Sequence, residues 1–168
     1  MDKRKVFTSF TCGAVTVTTG SLVIVGHGIK GPVQLTAEAV SHIQNADEVF
    51  FLACDPLTEQ WIRSNNPNSH DLHTWYDNSR PRIDTYAMMT LDMVEEVKKG
   101  KDVVGVFYGH PGVFVNPGHN AVAEARRLGY YAEMLPGVSL CRHLWALYYF
   151  FFHFACRSLL TRVSDIRS

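Results

Sequence analysis

Along this chain, short unbroken apolar runs alternate with stretches whose hydrophobic residues recur at helical spacing. Ser21–Val25 (SLVIV) is such a run, broken by Gly26-His27-Gly28, and it suits a strand buried on both faces of a parallel sheet. Glu48–Ala53 (EVFFLA), Asp102–Phe107 (DVVGVF) and Tyr131–Leu135 read the same way, and His70–Trp75 reads as a brief strand. Between them, Thr36–Ala46 predicts a helix with Thr36 as N-cap, Glu38 in the electropositive first turn, and Ala39, Val40 and Ile43 facing inward. Pro56 starts a short helix with Trp61 and Ile62 inward, and Asn65–Ser69 is a loop. The strongest helical stripe lies in Ile83–Lys99: Met88 or Met89, Leu91 or Met93, Val94 and Val97, closed by Lys98-Lys99-Gly100. Gly118–Leu128 reads as a last helix, stopped by Gly129. Strands alternating with helices imply βαβ units, hence an α/β fold with a mainly parallel sheet and flanking helices.

Composition narrows the function classes. The 168 residues allow one domain with a real core, and 46% hydrophobic with 19% charged residues is ordinary for a globular chain. Sixteen basic residues balance sixteen acidic ones, so no bulk charge recruits nucleic acid or an anionic membrane. Cys12, Cys54, Cys141 and Cys156 form no CxxC pair and no ligand-like spacing with histidine. Neither a metal site nor a disulfide framework is indicated, and free thiols suit a cytoplasmic protein. A basic start precedes a mixed run in residues 1–19, but threonines interrupt it, so it reads as a disordered leader or an extra strand rather than a signal peptide. Leu144–Cys156 (LWALYYFFFHFAC) is densely aromatic yet too short to span a bilayer. It suits a buried helix or a membrane-surface segment.

Chemistry concentrates in four loops. Tyr108-Gly109-His110-Pro111-Gly112 ends one strand and is followed at once by Val113-Phe114-Val115. Glycines admit close backbone approach and Pro111 removes a donor, as in a small-molecule pocket at a strand's carboxyl end or in a tight turn with a surface histidine. Gly26-His27-Gly28 with Gly31 matches GxGxxG literally. However, Pro32 and Val33 separate it from the helix, and the acid after the next strand, Asp55, is loosely placed, so a loop passing close to a neighbour is preferred over dinucleotide binding. Trp75–Tyr86 (WYDNSRPRIDTY) gathers Tyr76, Tyr86, Arg80, Arg82, Asp77 and Asp84, with Arg82 and Tyr86 on one helical face. Those residues suit oxyanion stabilisation and proton transfer, or a surface Arg–Asp pair over packed tyrosines. Leu135-Pro136-Gly137-Val138-Ser139 is another strand-end turn, whose serine either binds a ligand or caps the next helix. No nucleophile elbow, HExxH or Walker loop occurs, so hydrolase and NTPase readings lack local support.

Taken in order, GSLVIVGHGI (Gly20–Ile29), Tyr76-Asp77-Asn78 through Arg82-Ile83-Asp84-Thr85-Tyr86, DVVGVFYGHPGVFVNP (Asp102–Pro117) and MLPGVS (Met134–Ser139) resemble the tetrapyrrole-methylase-like superfamily. Within it they are most similar to the fungal borosin peptide α-N-methyltransferases. The resemblance covers roughly Gly20 to Ser139, and its most specific parts are the Tyr108–Pro117 and Arg82–Tyr86 segments. It implies the N-terminal domain of the tetrapyrrole-methylase-like fold and S-adenosylmethionine as cofactor. The implied substrate is a peptide, normally fused to the enzyme's own C-terminus, whose backbone amides are methylated. The implied assembly is an interlocked homodimer that threads the peptide into the partner's site, with no role for nucleic acid or membrane.

Matched residue by residue, Arg82, Tyr86 and Tyr108 correspond to the catalytic group, with Tyr76 in support. Tyr108, His110, Val113 and Ser139 correspond to cofactor contacts. These residue types fit the chemistry: resonance makes a peptide nitrogen a poor nucleophile, Arg82 supplies a positive field, and a tyrosinate from Tyr86 or Tyr76 serves as base. After Ser139 the sequence departs from the family, whose members continue into an acidic, alanine-containing helix and a second domain closing over the cofactor. The expected organisation is a leader over 1–19, a cofactor-binding domain over 20–139, a divergent hydrophobic tail over 140–168 and no second domain, which makes an inactive truncation one reading. A tetrapyrrole or ribosomal RNA methylase of the same superfamily is a second reading. A non-catalytic dimerisation fragment is a third.

Overall fold

A computed structural model describes residues 19–139 other than 78 and 114, together with 141 and 144. The expected leader and nearly all of the expected tail lie outside the described residues. Five strands alternate with four helices along the chain: β1 (Ser21–Gly26), α1 (Ala37–Asn45), β2 (Glu48–Leu52), α2 (Pro56–Asn65), β3 (Ser69–Asp71), α3 (Arg82–Lys98), β4 (Asp102–Phe107), α4 (Asn116–Arg127) and β5 (Tyr131–Met134). They form one sheet in the order β3-β2-β4-β1-β5, and every pairing is parallel. The expected α/β architecture is therefore present.

Period-two alternation along the central strands separates two cores. Leu22 and Ile24 of β1, Phe50 of β2 and Val103 and Phe107 of β4 face α3 and α4, where Met89, Met93, Val97, Ala121 and Ala125 cover them. Val23, Val25, Val49, Phe51, Val104 and Val106 point the other way, against Ala39 and Ile43 of α1 and Ile62 of α2. Two-sided burial explains why these strands read as continuous apolar runs, and each large buried side chain contributes about 1.5–3 kcal/mol. Of the alternatives left open in α3, Met89 and Met93 are buried while Leu91 is exposed. In α2, Ile62 is buried and Trp61 is only partly so.

Helix ends follow their chemistry. The Thr36 side chain accepts from the Ala39 N–H at 3.1 Å, as expected of an N-cap. Gly100 (φ +88°) and Gly129 (φ +87°) take the left-handed conformation just past α3 and α4. The segment expected as a strand over His70–Trp75 is different: β3 ends at Asp71, and Leu72–Trp75 turns into a short 3-10 helix. Asp71 causes this, because its carboxylate accepts from the His73 N–H at 2.8 Å and diverts the backbone from the sheet ladder.

The amino edge of the sheet is tied by charge. Lys101 reaches Glu48 and Glu96, both at 2.6 Å, while Ser21 donates to Asp102 at 2.7 Å. The carboxyl edge carries the glycine-rich loops. Among the described residues, no helix is long and apolar enough to cross a membrane.

Candidate active site at the carboxyl edge of the sheet

Three strand-end loops meet at van der Waals distance, and glycine makes that approach possible. A Cβ on Gly26 would lie 2.1 Å from the Gly109 carbonyl oxygen and 2.7 Å from Pro111 Cδ. A Cβ on Gly137, after β5, would come within 3.3 Å of Pro111 Cδ and 3.5 Å of Gly26 Cα. Gly28 (φ +76°) and Gly109 (φ +70°) form an antiparallel bridge, with the Gly109 N–H donating to the Gly28 oxygen at 2.9 Å. The loops after β1, β4 and β5 thus form one backbone floor. Among the described residues, and apart from its own chain neighbours, nothing lies within 4 Å of where a Cβ on Gly109 would sit.

The GxGxxG match is explained by these contacts. Gly26 and Gly28 fit against the loop after β4, and Gly31 (φ +74°) sits beside the Asp55 carboxylate and Thr58 hydroxyl. Asp55, loosely placed for a ribose, instead caps α2: it accepts from the Thr58 N–H at 2.8 Å and the Thr58 hydroxyl at 2.7 Å. Desolvation opposes its ionisation, but the Thr58 bonds and nearby His27 bring its carboxyl below the usual range. The Asp-Pro-x-Thr pattern is an N-cap signal legible in the sequence.

His110 to Val113 is a hydrogen-bonded turn, the Val113 N–H donating to the His110 oxygen at 3.0 Å with Pro111 and Gly112 central. The pocket and tight-turn readings of this segment are therefore compatible. His110 Nδ1 accepts from the Gly112 N–H at 2.9 Å, which leaves the proton of the neutral ring on Nε2. His119 in the first turn of α4 closes on the same peptide, its Nε2 lying 3.2 Å from the Gly112 oxygen. Ser139 Oγ accepts from the Cys141 N–H at 3.2 Å.

Connectivity brings α3 to the same edge. Its C-terminus leads into the start of β4, so its N-terminus, with Arg82 and Tyr86, lies at the carboxyl end of the sheet. Trp75 fixes the preceding turn by donating to Asp92 on α3 at 2.5 Å, and desolvation holds that carboxyl above its usual range. Tyr76 is thereby set beside Arg82 and Tyr86. The Arg82 guanidinium sits 4.9 Å from the centre of the Tyr76 ring, and Tyr86 lies close enough to act on the Tyr76 phenol. Burial, followed by the effect of Tyr86, pushes the Tyr76 phenol above its ordinary range despite Arg82. A phenol raised in this way forms its phenolate less readily, which disfavours Tyr76 as the base. The surface Arg–Asp pairing weighed for this loop does not form among the described residues; Asp77 accepts instead from the Ser79 N–H and hydroxyl.

Tyr108 is not in ring contact with that trio. Its ring, 37% exposed, meets the edge of His27, which is fully buried. Sequence reasoning read His27 only as part of a strand break. A histidine between two glycines at a buried strand end was the available signal. Val113 is half-buried beside the turn. A separate groove of about 390 Å³ lies at the free edge of β3, lined by Phe50, His70, Trp75 and Asp92 among others. Its Trp75 and Asp92 bond each other and its His70 bonds Glu48, so the carboxyl edge is the stronger candidate.

Comparison with known proteins places the sequence and the fold among relatives. The family model for tetrapyrrole (corrin/porphyrin) methylases matches residues 21–151. A methyltransferase/ribosomally synthesized type III borosin cyclic peptide precursor from Anomoporia bombycina is 55% identical over 127 residues, 76% of this chain and 15% of that protein. The methyltransferase/omphalotin A precursor of Omphalotus olearius is 56% identical over 120 residues, 71% of this chain and 29% of that protein. The chain thus spans less than a third of either relative. Among solved structures, uroporphyrin-III-C-methyltransferase from Thermus thermophilus superposes with a TM-score of 0.56 at 25% identity, over 71% of this chain and 48% of that one. Diphthine synthase, at 20% identity and a TM-score of 0.54 over 71% of this chain and 45% of that one, shares the fold.

Proposed function

Because the chain belongs to the tetrapyrrole (corrin/porphyrin) methylase family, we propose that it is the N-terminal domain, over residues 20–139, of an S-adenosylmethionine-dependent methyltransferase acting on backbone amides of a peptide. The observation that carries this reading is the packed group Arg82–Tyr76–Tyr86 at the same sheet edge as the glycine floor. The relatives named as both methyltransferase and cyclic peptide precursor support a peptide substrate over a tetrapyrrole or RNA. A homodimer and a cytoplasmic setting belong to the same reading, the latter supported by the free thiols of Cys54 and Cys141.

The floor fits the cofactor. Around Gly109, the partly exposed Tyr108, the Nε2 hydrogen of His110, Val113 and Ser139 are the residues that would hold S-adenosylmethionine. When bound, S-adenosylmethionine supplies an electrophilic methyl group. The chain's part is to prepare the nitrogen. Arg82 holds the amide oxygen and stabilises the negative charge that grows there as the N–H proton leaves. Tyr86, as its phenolate, accepts that proton, and Tyr76 donates to Tyr86 and keeps it aligned. Tyr108 orients the cofactor against the nitrogen, since displacement at carbon needs a near-linear approach.

The full chain with a borosin-type core peptide should methylate it, as read by mass spectrometry. Arg82→Ala or Tyr86→Phe should lower methylation at least about a hundredfold, the scale of a lost oxyanion donor or general base, while calorimetry still detects cofactor binding. Methylation retained in either variant would reject the assigned roles.

A further inference from the structure

His27 stands one register step beyond the Gly26–Phe107 pair, and its backbone N–H donates to the Phe107 oxygen at 2.9 Å. Its side chain is fully buried, and neither ring nitrogen has a partner among the described residues. An apolar ring of similar size would fill this place without forgoing two hydrogen bonds, so the imidazole asks for a role. Its edge meets Tyr108, with ring centres 5.6 Å apart and planes inclined by 69°. The Gly28–Gly109 bridge locks the backbones on either side of this contact. Tyr108 therefore has the buried His27 on one side and is 37% exposed. The charged group acting on His27 is the Asp55 carboxylate at the start of α2, and the titratable ring touching it is Tyr108 after β4.

We propose that His27 is a positioning residue: as a neutral ring it sets Tyr108, and it confines tight cofactor binding to pH values at which it carries no charge. This rests on the reading that Tyr108 belongs to the cofactor site. Protonation places a cation beneath the ring that receives a sulfonium cation, and it draws water toward a dry contact. Burial already disfavours the charged form, and Asp55 only partly offsets that.

The test is calorimetric titration of the full chain between about pH 5 and about pH 8, the range over which histidines titrate, with S-adenosylmethionine and with the uncharged thioether S-adenosylhomocysteine. The dissociation constant of the sulfonium should rise by up to about tenfold per pH unit below the transition, and that of the thioether by less. His27→Phe, which keeps an edge-on ring, and His27→Gln should both flatten this acid limb, with circular dichroism confirming the fold. Asp55→Asn, which keeps the cap but removes the charge that favours imidazolium, should move the limb to lower pH. A flat wild-type profile, or a limb unchanged in a folded His27 variant, overturns the positioning role and leaves the cofactor site standing. If neither His27 variant folds, a limb unmoved by Asp55→Asn overturns it. Failure of both ligands to bind the wild-type chain at every pH overturns the cofactor-site reading itself, and this proposal with it.

Discussion

Gly26 and Gly109 show how single residues shape the carboxyl edge of the sheet. A methyl group on Gly26 has nowhere to go, because the Gly109 oxygen would lie 2.1 Å away and both partners are backbone. Gly26→Ala should therefore separate the loops after β1 and β4 and cost about 1–3 kcal/mol, as overpacking does, seen as a lower urea midpoint. Gly109 is the opposite case: open space surrounds its missing side chain, but φ is +70°. Its constraint is conformational, and the opening above it is where a cofactor is proposed to lie. Tyr76 carries a similar lesson. The sequence offers it and Tyr86 as equal candidates for a base, and only the packed structure shows that burial raises the Tyr76 phenol above its ordinary range.

At the level of elements, caps and periodicity set boundaries that were legible in advance, with one exception. Thr36 caps α1 through a single bond to Ala39. Asp55 caps α2 through both the Thr58 N–H and the Thr58 hydroxyl, a side chain that is fully buried. Thr36→Ala should cost about 1 kcal/mol. Asp55→Ala should cost more, because it also strands the Thr58 hydroxyl without an acceptor, a penalty of about 1–3 kcal/mol. Parallel denaturation curves would check the order, and equal losses would mean that the hydroxyl bond contributes nothing. The exception is β3. His70–Trp75 reads as a brief strand, yet a local Asp71–His73 bond outcompetes the ladder after Asp71. That turn, pinned by Trp75 to Asp92, carries Tyr76 to the start of α3. A short polar contact thus assembles part of the site.

For the whole molecule, the sheet has one edge tied by charge and one that carries the glycine-rich loops. At the amino edge, Lys101 joins Glu48 of β2 to Glu96 of α3. Desolvation resists ionisation of Glu48, but Lys101 and His70 hold its carboxyl below the ordinary 4.5, and Lys101 and Lys99 do the same for Glu96. Folded-state values below the unfolded one mean that the stability these pairs add is complete above about pH 4.5 and is lost as pH falls through the lowered values. Lys101→Met should flatten that acid decline in the denaturant midpoint, with a small effect at neutral pH because the groups are partly exposed. By itself the sequence determined the strand–helix alternation, the parallel sheet, the two-faced burial of its strands and most helix ends. Those follow from hydrophobic period and local capping, which act over a few residues. It also named Arg82, Tyr86, Tyr108 and His110 through a family likeness. The tertiary structure alone decided which of them touch: Arg82 and Tyr86 gather with Tyr76, while Tyr108 stands on buried His27. Those contacts join residues from different loops and elements. Their geometry depends on parallel register and on glycines that let three backbones meet, and no local pattern in the chain encodes that.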